Sequence, residues 1–384
     1  MFPQLPPQPL FASSFAESRA RFRASLSSIR QRWSGAALIS HPLSVGEDLT
    51  IDWIEAAPAK RAERLFFFTA GEHGIEAYVG TGMLQLFCSE YIPRLDPETT
   101  GLVLVHTINP WGMKHRRRVN ASNVDLNRNF IWGKERSERL YDPSFNPQYE
   151  RMSALLNPQK PVGTPLANNL AFAFKVLSNL VSVGVSGLRQ SALVGQYHTP
   201  RGVYFGGRNR QEETGVLMTL FRRHFSFYPQ IVHLDMHTGY GPRYQMSLVN
   251  SYREPVDSAQ FARRYRYPLV VKANSEEFYS IRGDMIDFVY RLVKEEFPDK
   301  RLYSTSFEFG TFGDSARAAL RSMRATILEN QLHWNGARRG TDRAAVLEEF
   351  KELFVPSEAR WQEKSIADAR QAFEGILKDQ GYIS

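Results

Sequence analysis

The stretch Leu65-Phe66-Phe67-Phe68-Thr69-Ala70-Gly71-Glu72-His73-Gly74-Ile75-Glu76 decides how the chain is read. Its apolar run is continuous, short and bounded by turn-formers, which is the pattern of a strand buried on both faces. Ala70 and Gly71 let the backbone turn without a bulky side chain. Beyond them Tyr78, Val79, Met83, Leu84 and Phe87 recur at helical spacing. His73 therefore leaves the end of a strand, and Glu76 lies in the first turn of a helix. Imidazole nitrogen and carboxylate oxygen are both zinc donors, and three residues is a workable reach across one turn. Open α/β sheets place their sites at this edge of the strands. A lone His and Glu at this spacing are more often a solvated helix face, so the pair needs support from the rest of the chain.

Outward from this stretch the pattern repeats. Helices are expected over Phe15 to about Arg30, Ala167–Val183, Thr214–Phe225, Met285–Glu296 and Arg317–Trp334. Strands are expected at Ala36–Ile39, Leu49–Ile54, Gly101–His106, Ile231–His237, Gln245–Val249 and Tyr303–Phe309. Asn109-Pro110-Trp111-Gly112 reads as a turn, Met113–Phe130 as a polar loop, and the tail from Thr341 as two amphipathic helices broken at Pro356. Such alternation predicts an α/β fold: a single domain with a mixed, mostly parallel central sheet and helices on both faces. The expected division is a tail and helix at 1–35, a main domain at 36–340 with an inserted cap at 131–230, and a helical appendage at 341–384.

Composition narrows the class. The 384 residues are 42% hydrophobic and 23% charged, ordinary for a globular protein able to bury a large core. The net charge of +8 favours acidic partners but is spread along the chain, with no compact basic arm for nucleic acid. The single cysteine, Cys88, excludes an intramolecular disulfide and a Cys-rich zinc site. Met1–Pro7 has neither the basic region nor the apolar stretch of a signal peptide. Leu166–Leu188 is interrupted by Asn168, Asn169, Lys175, Ser178 and Asn179, and reads as a buried helix ending near Gly184 and Gly187. The expectation is a reduced, cytoplasmic protein without a membrane or nucleic-acid partner. The oligomeric state is not readable.

Two further strand ends carry polar residues that an apolar core would not select. Residues 231–237 put His233, Asp235 and His237 on one face, with His237 last and Asp235 able to orient it. Glu308 stands between Phe307 and Phe309, an uncommon place for a carboxylate unless it is paired or functional. Two His and one Glu form an open zinc set, a further carboxylate can serve as general base, and loop arginines can hold an anion. Together these are the parts of a metal-assisted amide hydrolase.

The order His73-x-x-Glu76, an Asn-Pro-x-Gly turn, Asp125-Leu126-Asn127-Arg128-Asn129-Phe130, His237 and Glu308 resembles the zinc carboxypeptidase superfamily, which includes the succinylglutamate desuccinylase and aspartoacylase deacylases. Gly195-Gln196-Tyr197, Tyr204-Phe205-Gly206-Gly207, Asp235-Met236-His237-Thr238-Gly239 and Glu308-Phe309-Gly310-Thr311 resemble, more narrowly, a bacterial branch catalogued as a domain of unknown function. The resemblance spans roughly residues 40–330. It implies one zinc per chain on His73, Glu76 and His237, with Glu308 as general base and acid. It further implies Asn127 and Arg128 on a substrate carboxylate and Arg118 at the developing oxyanion, with Arg117 as the alternative. The family's mobile tyrosine has a possible counterpart in Tyr279, but Ile281-Arg282-Gly283-Asp284 departs from the family pattern.

The reading that follows is a zinc hydrolase cleaving an amide beside a free carboxylate, like a metallocarboxypeptidase. An N-acyl amino acid deacylase is the alternative, so the expected partner is a small peptide or an N-acyl amino acid. A non-catalytic binding module on the same fold is a lesser alternative, separated by metal content and amide turnover. A nucleic-acid binder would rest on net charge alone.

Overall fold

The computed structural model describes residues 10–133, 141–273 and 282–384. Strand β3, Arg64–Ala70, is the apolar run quoted above and is buried from its second residue onward. It lies between β4 (Thr100–Val105) and β5 (Gln230–Thr238), parallel to both, and β8 (Arg301–Phe309) adds in parallel on the far side of β5. On the β4 side, β2 (Thr50–Ala56) and β1 (Ala37–Pro42) continue the sheet with antiparallel pairing. On the β8 side, β6 (Met246–Asn250) is antiparallel to β8, and β7 (Val270–Lys272) is parallel to β6. The order is β1-β2-β4-β3-β5-β8-β6-β7, the mixed, mostly parallel sheet that alternation of strands and helices implies.

Side-chain alternation along β3 divides the core between two faces. Phe66 and Phe68 join Val79, Met83 and Phe87 of the helix Ala77–Glu90 and Phe373 of the helix Ala359–Asp379. Phe66 stacks on Phe87 with ring centroids 4.2 Å apart. Leu65 and Phe67 face the other way, against Phe221 and Phe225 of the helix Glu212–Phe225 and Val289 of the helix Met285–Glu296. Cys88 is buried on the first face, as a small apolar residue would be.

Several local expectations are corrected. Asn109-Pro110-Trp111-Gly112 starts a helix, Pro110–His115, rather than a turn: Gly112 N donates to Asn109 Oδ1 at 2.8 Å, and proline takes the first helical position, where no amide is needed. The helix read over Ala167–Val183 runs from Pro165 to Val194 and is not buried throughout, since Leu166, Leu170, Phe174 and Leu177 are exposed on one side. The short helix Ser258–Tyr265 and the three-residue β7 were not expected at all. Among the described residues no helix is long and apolar enough to cross a membrane.

Candidate active site

The four parallel strands point their carboxyl ends the same way, and the polar residues gather there. After β3 the chain turns at Gly71, whose φ of +67° places it in the left-handed region; a Cβ there would meet Thr107 Oγ1 at 2.3 Å. Gly74 is needed for a different reason: its Cβ would lie 2.2 Å from the Gly112 carbonyl carbon, so only glycine lets the two turns touch. This close approach seats His73 and Glu76 at the strand edge, the latter ending a short 3-10 turn rather than entering the helix proper.

His73, Glu76 and His237 come together with ligand atoms all within 4.8 Å of one another, and all three are buried. Glu76 lies between the two imidazoles: Oε1 is 2.9 Å from His73 Nδ1, and Oε2 is 3.2 Å from His237 Nδ1. Thr238 N donates to Glu76 Oε2 at 2.8 Å. Burial pushes the Glu76 carboxyl up, but His73 and His237 outweigh it and hold it down at about 2.

Each imidazole is held from behind by a carboxylate. His73 Nε2 contacts Asp125 Oδ1 at 3.0 Å, and His237 Nε2 contacts Asp235 Oδ2 at 2.5 Å. Asp235 Oδ1 in turn accepts from Thr69 Oγ1 at 2.6 Å. Asp125 also pairs with Arg118, and its carboxyl, pushed up by burial, is held well below the usual range by the Arg118 and His73 charges. Both Nδ1 atoms are thereby left facing Glu76. His73 Nδ1 is buried, and its contact with Glu76 lacks hydrogen-bond geometry. Two imidazole nitrogens and a carboxylate, each histidine oriented by a second carboxylate, fit a zinc ion. His233 stands apart from this set and bonds Thr69 Oγ1 at 2.9 Å and Ser304 Oγ at 2.8 Å inside the core.

Glu308 is the register partner of His237 on the adjacent strand, about 4.8 Å away as neighbouring strands are. It is half-buried. Burial pushes its carboxyl up to about 8, with His237 pulling it down and Glu76 and Asp235 pushing it further up.

The loop after the helix Pro110–His115 carries the arginines. Arg117 is engaged elsewhere than at His73, Glu76 and His237: its Nε donates to Glu329 Oε1 at 2.6 Å, and its Nη2 reaches Asn123 and Asn330. Arg118 faces inward, bonded to Asp125. Arg128 is buried, with Nη1 donating to its neighbour's carbonyl, Asn127 O, at 2.8 Å and Nε unpartnered. Asn127 is partly committed elsewhere, because its Oδ1 accepts from Met285 N at 3.0 Å. Tyr279 lies outside the described residues.

Two participants were not singled out from the sequence. Asp125 heads the Asp-Leu-Asn-Arg-Asn-Phe string, so its position was visible, but its contact spans 52 residues to His73. Glu72 is wholly buried with neither oxygen hydrogen-bonded; burial, then the Asp235 charge, raise its carboxyl well above the usual range. A carboxylate squeezed between Gly71 and His73 was the available signal.

These features define an α/β protein whose parallel strands deliver a buried two-histidine, one-carboxylate set. The chain belongs to the family described as protein of unknown function DUF2817, which matches residues 11–368. No curated protein matches it. Among solved structures it is similar to bovine thrombin-activatable fibrinolysis inhibitor in complex with tick carboxypeptidase inhibitor (13% identity, 84% of this chain and 96% of that one, TM-score 0.45). It is also similar to carboxypeptidase A from Helicoverpa armigera (14%, 88% and 73%, TM-score 0.45). A third is murein-tripeptide amidase MpaA from Escherichia coli O157 (18%, 77% and 91%, TM-score 0.35).

Proposed function

We propose that this protein is a zinc-dependent hydrolase that cleaves an amide bond beside a free carboxylate. The observation that carries the reading is the convergence of His73, Glu76 and His237 at one sheet edge with Glu308 alongside on the next strand. His73, Glu76 and His237 would hold the zinc, which would supply Lewis-acid polarisation of the scissile carbonyl. Glu308 takes a proton from the attacking water and delivers it to the leaving nitrogen, work suited to a carboxyl poised near neutrality. Arg118, anchored by Asp125, donates to the oxygen on which negative charge develops. Arg128 offers a permanently charged guanidinium to the substrate carboxylate, and the amide of Asn127 adds a donor.

The 195–207 segment adjoins the arginine loop: Asp125 N donates to Phe205 O at 2.7 Å. A segment so placed would favour a small substrate, either a short peptide or an N-acyl amino acid.

The test is hydrolysis of dipeptides, C-terminally blocked peptides and N-acyl amino acids by the zinc-loaded protein, with elemental analysis. Near-stoichiometric zinc and turnover confined to substrates with a free carboxylate are expected. His73→Ala and His237→Ala should each abolish stoichiometric zinc. Full zinc in both variants would overturn the ligand assignment, and equal turnover of blocked and free substrates would overturn the carboxylate requirement.

A further inference from the structure

The segments Gly195-Gln196-Tyr197 and Tyr204-Phe205-Gly206-Gly207 form a clamp against the arginine loop. Gln196 N donates to Tyr204 O at 3.0 Å, and Gly206 N donates to Gln196 O at 2.8 Å. The clamp is fastened by Asn129 Nδ2 to Gly206 O and by the Tyr197 hydroxyl to Arg128 O, both at 2.8 Å. Its other side chains serve the structure. The Gln196 amide ties its own turn through Thr199 O and the amides of His198 and Thr199. Phe205 packs in the core with Val124 and Leu126.

Tyr204 is different. Its φ is +56°, in the left-handed region that a bulky residue adopts only when its surroundings hold it there. Its ring packs half-buried on the cluster of Tyr149, Val203 and Met323, and lies 6.0 Å from the Arg118 guanidinium carbon. Among the described residues its hydroxyl has no hydrogen-bond partner. The charges around this one are those of Arg118, Asp125 and Arg128, and burial raises its pKa, so it remains a donor at neutral pH.

We propose that the Tyr204 hydroxyl is a substrate contact, donating a hydrogen bond to an anionic oxygen of a carboxylate-bearing amide bound beside Arg118 and Arg128. The proposal rests on the hydrolase reading above. A strained backbone that seats a tyrosine rather than a phenylalanine beside the Arg118 guanidinium is otherwise unexplained, because phenylalanine would fill the same apolar seat.

Tyr204→Phe removes one oxygen and keeps the ring, whereas Tyr204→Ala removes both. Both variants and the wild type, zinc-loaded, are compared on the best substrate of the panel, with zinc content and thermal unfolding measured in parallel. Tyr204→Phe should lower kcat/KM about tenfold or more, as loss of a hydrogen bond to a charged group does, with zinc and unfolding midpoint unchanged. A kcat/KM within twofold of wild type in Tyr204→Phe overturns the proposal, and does so equally if only Tyr204→Ala is impaired. If the wild type turns over nothing, calorimetry with an N-acetyl amino acid and its amide replaces the assay. About tenfold weaker binding of the acid by Tyr204→Phe then supports the contact, and equal binding overturns it. A wild type that neither hydrolyses nor binds these compounds overturns the hydrolase reading and Tyr204 with it; an active wild type with an unaffected Tyr204→Phe overturns Tyr204 alone.

Discussion

Glu308 and Glu72 are both carboxyl groups crowded by other carboxylates beside His237, and burial opposes ionisation of each. Their reach separates them. Glu72 is enclosed, whereas half-buried Glu308 can meet water and substrate. A base works only when ionised, so activity should fall as pH drops through the Glu308 pKa. That acid limb lies no higher than about 8, the value burial imposes on the metal-free site, because a bound cation favours the carboxylate and moves the limb lower. Glu308→Gln should lower kcat on the order of a thousandfold with zinc retained, and should erase the limb. Steady-state pH profiles with metal analysis check this; a limb that survives in Glu308→Gln belongs to another group. Arg128→Ala removes a contact made in both ground and transition states, so it should act chiefly on KM. It should also erase most of the preference for a free acid over its amide, roughly 1.5–3 kcal/mol for a charged hydrogen bond. Unchanged discrimination would make Arg128 structural. At this scale the sequence was legible where a polar residue interrupts an apolar strand, as at His237 and Glu308. It was silent on Asp125, whose role depends on which way His73 turns. Adjacent arginines were equally ambiguous, because only the helix carrying Glu329 reveals that Arg117 is engaged there.

The arginine loop is held by elements distant in sequence. The Arg117–Glu329 pair ties it to the helix Ala316–Asn335, and both residues are buried. Arg117→Ala would leave Glu329 buried without its cation, which typically costs about 3–5 kcal/mol. Chemical denaturation should show a loss of that size, with part of it recovered in Arg117→Ala combined with Glu329→Ala; a loss under about 1 kcal/mol would mean that the pair behaves as a solvated one. The helices and strands that the sequence disclosed most clearly are those with strong periodicity, such as Met285–Glu296. The three-residue β7 has too few side chains to show a period, and it exists because β6 offers an edge. The Asn109 cap looked like a turn because capping and turn formation use the same residue types. The helix Pro165–Val194 looked buried because its apolar content was high, but composition does not reveal which side has a neighbour.

Strand alternation made the fold class legible, but it does not encode strand order, and the order is what carries β8 to the side of β5. The C-terminal helix secures that placement. Phe373 packs on Phe307 with centroids 5.1 Å apart, and belongs to the same core cluster as Phe66 and Phe87. Trp361 Nε1 donates to Gly310 O at 2.7 Å, two residues past Glu308, and the Tyr382 hydroxyl donates to Leu65 O at 2.7 Å on β3. Through Phe373 the helix Ala359–Asp379 thus touches both β3, which leads to His73 and Glu76, and β8, which carries Glu308. Phe373 is wholly buried, so Phe373→Ala should cost about 3–5 kcal/mol, a large share of the 5–15 kcal/mol that roughly bounds a domain's stability. Its effect should fall on folding rather than chemistry, because the ring contacts no candidate site residue. Denaturant unfolding should therefore shift to a lower midpoint with an unchanged slope, while kcat measured well below the transition stays at the wild-type value. Removal of residues 359–384 takes Trp361, Phe373, Ile376 and Tyr382 from the core at once and should leave no cooperative unfolding transition. A truncated chain that unfolds cooperatively near the wild-type midpoint would show that the sheet holds β8 beside β5 without the helix.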